Sequence, residues 1–126
     1  MTDLHDLSAL ELLDQYRRKT LSPLDVAKDV VSWIERCEPK LHAMYAFDPE
    51  GALASAKGAE ARWQKGEPTG GLDGVPITIK ENIATKGVPV PLGTAATELK
   101  PAAGASLPAT RSASPTCMRR RWSNTW

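Results

Sequence analysis

The stretch that most constrains this chain lies at residues 70–93, where glycines precede a short apolar run that ends in a lysine. Gly71 and Gly74 bracket Leu72 and Asp73. Glycine adopts positive φ angles without steric cost, so this arrangement permits a tight turn. The pattern therefore predicts a turn that leads directly into a β-strand.

The residues after this turn alternate with the period of a strand, so that one face ends in Ile79 and the other in Lys80. Pro76 has no N–H to donate, which predicts a position at the start of the strand or at a sheet edge. If the sheet is covered on both faces, Lys80 must bury its ammonium group or direct it into a cleft. Burial favours the neutral form of a lysine amine, which can act as a general base. The alternative is a solvated lysine, which is common at strand ends.

The first predicted helix begins at Ser8, because Ser8 and Glu11 form the spacing of a capping box. The helix extends to about Lys19. Apolar side chains at helical spacing define the face that we expect to pack against the core. They are Leu10, Leu12, Leu13 and Tyr16.

The second predicted helix begins at Ser22-Pro23, where a capping serine precedes a proline at the first helical position. It ends before Pro39, because proline disfavours helical geometry in the residue before it. Its apolar face includes Cys37, which we interpret as a buried structural thiol. The other members of that face are Val26, Val30, Trp33 and Ile34.

A third helix is predicted from Asp48-Pro49 to about Gly66 by the same capping logic. Small residues and one tryptophan mark the side that packs on a neighbouring element: Ala52, Ala56, Ala59 and Trp63. Between the second and third helices, residues 41–47 alternate in polarity and predict a strand. The resulting order of helices and strands is typical of an α/β or α+β arrangement.

The composition is that of a soluble globular protein, with 126 residues, 41% hydrophobic and 25% charged side chains, and a net charge of +1. This balance gives no argument for a membrane or nucleic-acid partner. Cys37 and Cys117 do not have metal-site spacing. The chain begins without a secretory signal, and no apolar run approaches the roughly 20 residues of a bilayer span. We expect a reduced, cytoplasmic protein.

The run LDGVPITIKENIATKGVP resembles the N-terminal signature of the amidase signature family, the amide hydrolases built around a Ser-cisSer-Lys triad. The matching pieces are Gly74-Val75-Pro76 and a strand end at residues 79–82, where Glu81 replaces the more common aspartate. The helix start at Ser22-Pro23 is also similar. The resemblance covers residues 4–100.

This resemblance implies an α/β fold, in which a mixed sheet is surrounded by helices and residues 4–100 form the N-terminal part. It also implies that Lys80 is the triad base, which takes a proton through a bridging serine from the nucleophilic serine. The implied substrate is a small-molecule amide, and no metal or cofactor is implied.

The two serines of the triad have no match in this chain, because no serine after Lys80 lies in a glycine- and serine-rich segment. We therefore expect the isolated chain to be inactive. Residues 101–126 contain four arginines and no acidic residue, whereas residues 1–100 have a net charge of −3. A disordered basic arm is one interpretation of this tail. The interpretation that we favour is an out-of-frame tail that begins near residues 102–104.

Two alternative functions remain open on the sequence alone. The amidase-like subunit of the aminoacyl-tRNA amidotransferase shares the fold and the triad of these amidases, and it releases ammonia from glutamine. A non-catalytic interaction module that retains only the N-terminal half of the family fold is the other alternative.

Overall fold

The computed structural model describes residues 3–44, 46–80, 83, 84 and 90, together with the backbone of residues 118–120. A 3-10 helix at Leu4–Asp6 comes first in the chain. It is followed by the helices α1 (Ala9–Arg17), α2 (Pro23–Leu41) and α3 (Pro49–Lys65) and the strands β1 (Thr78–Lys80) and β2 (Met118–Arg120). The two strands are parallel, with Ile79 opposite Arg119.

Most of the predicted tail lies outside the described residues. Within residues 101–126, only the backbone of β2 is described, and it extends the sheet beside β1. The division of the chain into residues 4–100 and an out-of-frame tail therefore stays a prediction.

Helix α1 begins with the predicted capping box. The Ser8 hydroxyl accepts a hydrogen bond from the Glu11 amide, and the Glu11 carboxylate accepts one from the Ser8 amide at 2.8 Å. The expected apolar face is confirmed at three positions, the buried residues Leu12, Leu13 and Tyr16. Leu10 is 79% exposed, so its assignment to that face is wrong. At 100° per residue, Leu10 points about 160° away from Leu12, on the solvent side.

Helix α2 begins at Pro23, as predicted. The Ser22 hydroxyl accepts a hydrogen bond from the Leu24 amide and donates one to Glu60 of α3, so the cap also joins two helices. The predicted apolar face is only partly right. Val26 is fully buried, Cys37 is half-buried and Trp33 is exposed.

The exposed Trp33 is covered in part by other side chains. The imidazole of His5 stacks on its ring with centroids 4.2 Å apart, and the Arg36 guanidinium lies 4.9 Å from the ring centroid. His5 also lies 2.7 Å from the Asp29 carboxylate of α2. These contacts attach the N-terminal 3-10 helix to α2.

The predicted end of α2 before Pro39 is wrong, and so is the predicted strand at residues 41–47. Helix α2 continues through Pro39 to Leu41 and ends at His42, which has the left-handed conformation. The Glu38 carbonyl accepts from the His42 amide, and the Glu38 carboxylate accepts from the Met44 amide at 2.8 Å. Glu38 thereby binds the chain leaving the helix, and only an isolated bridge at Met44 remains of the strand.

Helix α3 begins and ends as predicted. The Asp48 carboxylate accepts a hydrogen bond from the Gly51 amide at 2.9 Å, and Gly66 ends the helix with φ +76°. The alanine stripe is buried at Ala52, Ala56 and Ala59. Small side chains let helices approach closely, and α3 packs mainly on α2.

Candidate active site

Lys80, the residue predicted to be catalytic, is the last residue of β1. The predicted alternation is confirmed, because Ile79 is 4% exposed while Thr78 and Lys80 are both exposed. The buried placement that would follow from a sheet covered on both faces is not found. The Lys80 carbonyl accepts a hydrogen bond from the Ile83 amide at 3.0 Å, so the chain turns directly after the lysine. The structure thus presents the amine on an open face at a turn.

Several residues that were predicted to accompany Lys80 lie outside the described residues. They are Glu81 and Asn82, which complete the predicted motif, and the serines after Lys80. An open cleft of about 310 Å³ lies beside residues 75–78, between the 3-10 helix, α1 and α2, and Lys80 is not part of its lining. Among the described residues, no serine lies in a glycine-rich motif of the kind that the triad needs.

The turn before β1 depends on one glycine. Gly74 has φ +83°, as predicted for the turn. A Cβ atom at this position would lie 2.9 Å from the Pro23 side chain and 3.2 Å from Ala59. At Gly71 a Cβ would meet nothing within 4 Å, and its φ is not positive. The prediction for this pair is therefore right for Gly74 and wrong for Gly71.

A buried carboxylate fixes the same turn. Asp73 is only 1% exposed. Its carboxylate accepts two hydrogen bonds from Arg62, from Nε at 2.7 Å and from Nη2 at 2.6 Å. Two further bonds come from Thr69, from the amide at 3.1 Å and from the hydroxyl at 3.2 Å. We call Arg62, Thr69 and Asp73 the Asp73 clamp.

The clamp keeps Asp73 ionised. Burial by itself would raise the pKa of the Asp73 carboxyl, but the hydrogen bonds from Arg62 and Thr69 outweigh burial and hold the pKa below its usual value. The same contact raises the pKa of Arg62. A planar guanidinium that binds both carboxylate oxygens combines charge with a fixed geometry.

Two aromatic side chains bind the backbone of this turn. Trp63 Nε1 donates a hydrogen bond to the Asp73 carbonyl at 2.9 Å, and the Tyr16 hydroxyl donates one to the Gly74 carbonyl at 3.2 Å. Burial raises the pKa of Tyr16, so its hydroxyl stays protonated and can donate. Side chains from α1 and α3 thus hold two successive carbonyl groups.

The sequence pattern did not assign any role to Arg62, Asp73 or Tyr16 in this site. The available signal was a single aspartate between two glycines just before an apolar strand. That signal could have suggested a buried acid, but nothing in the spacing identified Arg62 as its partner.

The family of the chain follows from comparison with known proteins. The family model for Amidase matches residues 25–109, about two thirds of the chain. The chain belongs to the amidase family. This membership confirms the resemblance that the motif around Lys80 indicated.

Known relatives place this amidase-family chain beside much longer proteins. It is 40% identical over 93 residues to the matching glutamyl-tRNA(Gln) amidotransferase subunit of Salinispora arenicola, an alignment that covers 74% of this chain and 19% of the relative. It is 34% identical over 93 residues to the subunit of the same name from Chloroflexus aurantiacus, with the same coverage. The alignments thus span about a fifth of the length of these relatives.

Solved structures confirm the α/β fold class of the amidase-family chain. A bacterial aryl acylamidase of the amidase signature enzymes superimposes with a TM-score of 0.76 and 28% identity, over 95% of this chain and 26% of the other. An inhibitor-bound vestigial complex related to an s-triazine catabolic enzyme matches with a TM-score of 0.75 and 20% identity, over 90% and 25%. The second similarity concerns the fold alone.

One group of potential metal ligands lies away from this site among the described residues of the amidase-family chain. Asp3, His5 and Asp6 place potential ligand atoms within 4.8 Å of one another, but they share no residue with the Asp73 clamp or β1. No helix in the described ranges has the length and apolar character that a bilayer crossing needs. The expectations of no metal and no cofactor stay predictions.

Proposed function

We propose that this chain is the lysine-bearing N-terminal part of an amide hydrolase, and that Lys80 is the terminal base of a Ser-cisSer-Lys triad. One observation carries the proposal. In a chain that belongs to the amidase family, Lys80 ends a strand that follows an anchored turn, and its side chain lies on the open face of that strand. A base in this position can meet groups supplied by another segment.

In the proposed reaction, the Lys80 amine accepts a proton through a bridging serine, and the nucleophilic serine attacks the carbonyl carbon of the amide. Backbone N–H groups near the nucleophile stabilise the oxyanion. The C–N bond breaks, the leaving amine takes the proton, and water then hydrolyses the acyl-serine ester. The chain has no matching serines, so we propose that it is inactive alone. The substrate would be a small cytoplasmic amide.

A second candidate is a segment of the amidase-like subunit of an aminoacyl-tRNA amidotransferase. The observation that favours it is the 40% identity to the Salinispora arenicola amidotransferase protein. In this case the amide would be glutamine, and the released ammonia would be delivered to a misacylated tRNA. Hydrolysis of simple amides, without ammonia delivery to tRNA, would favour the first candidate.

The lysine is tested in a chimera, in which residues of this chain replace the matching 93-residue segment of the Salinispora arenicola protein. Lys80→Ala should lower kcat for amide hydrolysis by about 10³-fold with little change in KM, because a proton-transfer group is lost. Lys57→Ala is the matched control, since Lys57 is an exposed lysine of α3. If the Lys80→Ala chimera kept a near-normal kcat, the proposed role of Lys80 would be wrong.

The out-of-frame tail is tested separately at the level of DNA. We propose that one of the two other reading frames past codon 104 encodes the glycine- and serine-rich segment with the two missing serines. Absence of such a segment from both frames would reject this explanation of the tail.

A further inference from the structure

We infer that Asp73 is a positioning residue, which acts through Arg62 and the turn at residues 69–74 to hold the strand that bears Lys80. Its functional meaning rests on the proposed role of Lys80. Its structural basis is independent of that role, because it consists of contacts among residues before β1.

The hydrogen bonds of the clamp fill the capacity of the carboxylate. Asp73 is almost wholly buried, and its two oxygens accept four hydrogen bonds, two from Arg62 and two from Thr69. An ionised carboxylate offers about four acceptor sites, so none is left over. A carboxylate bound in this way cannot shift without breaking several charge-assisted bonds.

The turn that contains Asp73 contacts all three helices. Tyr16 of α1 and Trp63 of α3 bind its carbonyl groups. Gly74 lies so close to Pro23 of α2 and to Ala59 of α3 that no side chain fits between them. The turn therefore has one available position relative to the helical layer.

A short segment connects the turn to the lysine. Val75 packs against the core cluster that contains Tyr16 and Val26, and its amide donates to the Leu72 carbonyl at 3.1 Å. Only Pro76 and Ile77 then separate this anchor from the first residue of β1. Proline has a nearly fixed φ, so a displacement of the turn is transmitted to the strand.

Stability alone does not require a charged pair at this position. Replacing a buried ion pair with apolar side chains of similar volume is often neutral or stabilising. A bidentate pair differs from apolar packing in that it specifies one geometry. Geometry is what a strand must maintain if it presents a base to groups on another segment.

Amide hydrogen exchange of the 126-residue chain tests the inference, with mass-spectrometric readout of separate peptides. Asp73→Asn should speed exchange in residues 75–80 by about tenfold or more, because the turn is released locally. Exchange in α1 and α2 should change less than about twofold. Arg62→Lys keeps the charge without the bidentate geometry, and it should show the same local pattern more weakly.

The exposed pair Asp14 and Arg18, whose charged atoms lie 2.8 Å apart, supplies matched controls. Asp14→Asn and Arg18→Lys change the same residue types in the same way and should leave exchange at residues 75–80 unaltered. Exchange that rises equally in all segments of the Arg62→Lys variant would show a purely global role and overturn the inference. So would an unchanged rate at residues 75–80 in Asp73→Asn.

The exchange result and the chimera result separate the two proposals. Local release of β1, together with normal activity of the Lys80→Ala chimera, would leave the structural clamp intact and remove its catalytic meaning, which overturns the positioning role. Uniform exchange with an inactive Lys80→Ala chimera would reject Asp73 as a positioning residue and leave the proposed function standing. Local release with an inactive Lys80→Ala chimera is the result that we expect.

Discussion

Two connections in this chain show how little the regularity of a sequence pattern says about how firmly a segment is held. Residues 42–48 join α2 to α3, and their alternating polarity predicted a strand. Residues 66–77 join α3 to β1, and their first half was predicted to be a loop. In the structure, only the second connection is bound by side chains from several helices, as far as its described residues show.

Burial accounts for the difference. The first connection is exposed or half-buried where it is described, and the Glu38 carboxylate is the main side-chain contact given for it, with the Met44 amide. The second contains a fully buried carboxylate with four hydrogen bonds. Charged hydrogen bonds are stronger away from water, and leaving one partner unpaired there is costly. An irregular segment can therefore be more constrained than a regular-looking one.

The largest effect is expected from Gly74→Ala in the firmly held connection. The substitution combines an unfavourable positive φ with a contact at 2.9 Å to Pro23, so the free energy of unfolding should fall by about 3 kcal/mol. Urea denaturation of the 126-residue chain, followed by circular dichroism, measures this change.

Two other glycines serve as controls for Gly74→Ala. Gly66→Ala has the positive φ but open space around the added methyl group, and it should cost about 1 kcal/mol. Gly71→Ala has neither problem and should lie within about 0.5 kcal/mol of wild type. Equal losses for Gly74→Ala and Gly66→Ala would show that the close approach to Pro23 carries no energy.

A smaller effect is expected from acid. The pKa of Asp73 is lowered in the folded state, so the unfolded chain binds the proton first and the clamp loses its contribution as pH falls. This contribution is fully present above about pH 5 and is lost as the pH falls through the unfolded value of about 3.9 and then the lower folded value. The urea midpoint of the wild type should therefore drop steeply between these conditions.

Asp73→Asn isolates this part of the acid response. The pKa of Glu11 is also lowered, by its hydrogen bonds to Ser8, so some loss in acid should persist in the variant. The variant should nonetheless show a shallower fall than wild type, because the clamp carboxyl is absent. An identical slope in both proteins would mean that Asp73 does not titrate with folding.

The smallest effect is expected in the loosely held connection, from Glu38→Gln. The amide oxygen of glutamine can still accept the hydrogen bond from the Met44 amide, and only the charge is lost. The free energy of unfolding should fall by about 0.5 kcal/mol or less, measured by the same urea titration. A loss as large as that of Gly74→Ala would abolish the contrast between the two connections.

Much of the helical layer could be predicted from local signals. A capping side chain followed by proline marked the starts of α2 and α3, and the capping box at Ser8 marked the start of α1. These signals work because the interaction that starts the helix lies within three residues of the cap. The position of Lys80 at the end of a strand was predicted for a similar reason, from alternation over a few residues.

The predictions that failed concerned interactions between distant residues or competition at a helix end. The apolar residues of 41–47 alternate, but α2 takes Leu41 and the Glu38 side chain binds Met44. Trp33 fits the apolar face of α2 by spacing, yet it lies exposed beneath His5 and Arg36. Periodicity identifies a face of an element and does not say which neighbour covers it.

By itself, the sequence determined where the helices start, the alternation that places Lys80 opposite Ile79, and, through its motif, membership of the amidase family. Only the tertiary structure decided that Asp73 is buried and that Arg62, eleven positions earlier, is its partner. The physical reason is range. Caps and alternation depend on neighbouring residues, whereas a buried ion pair exists only after helices and turn have packed together and excluded water.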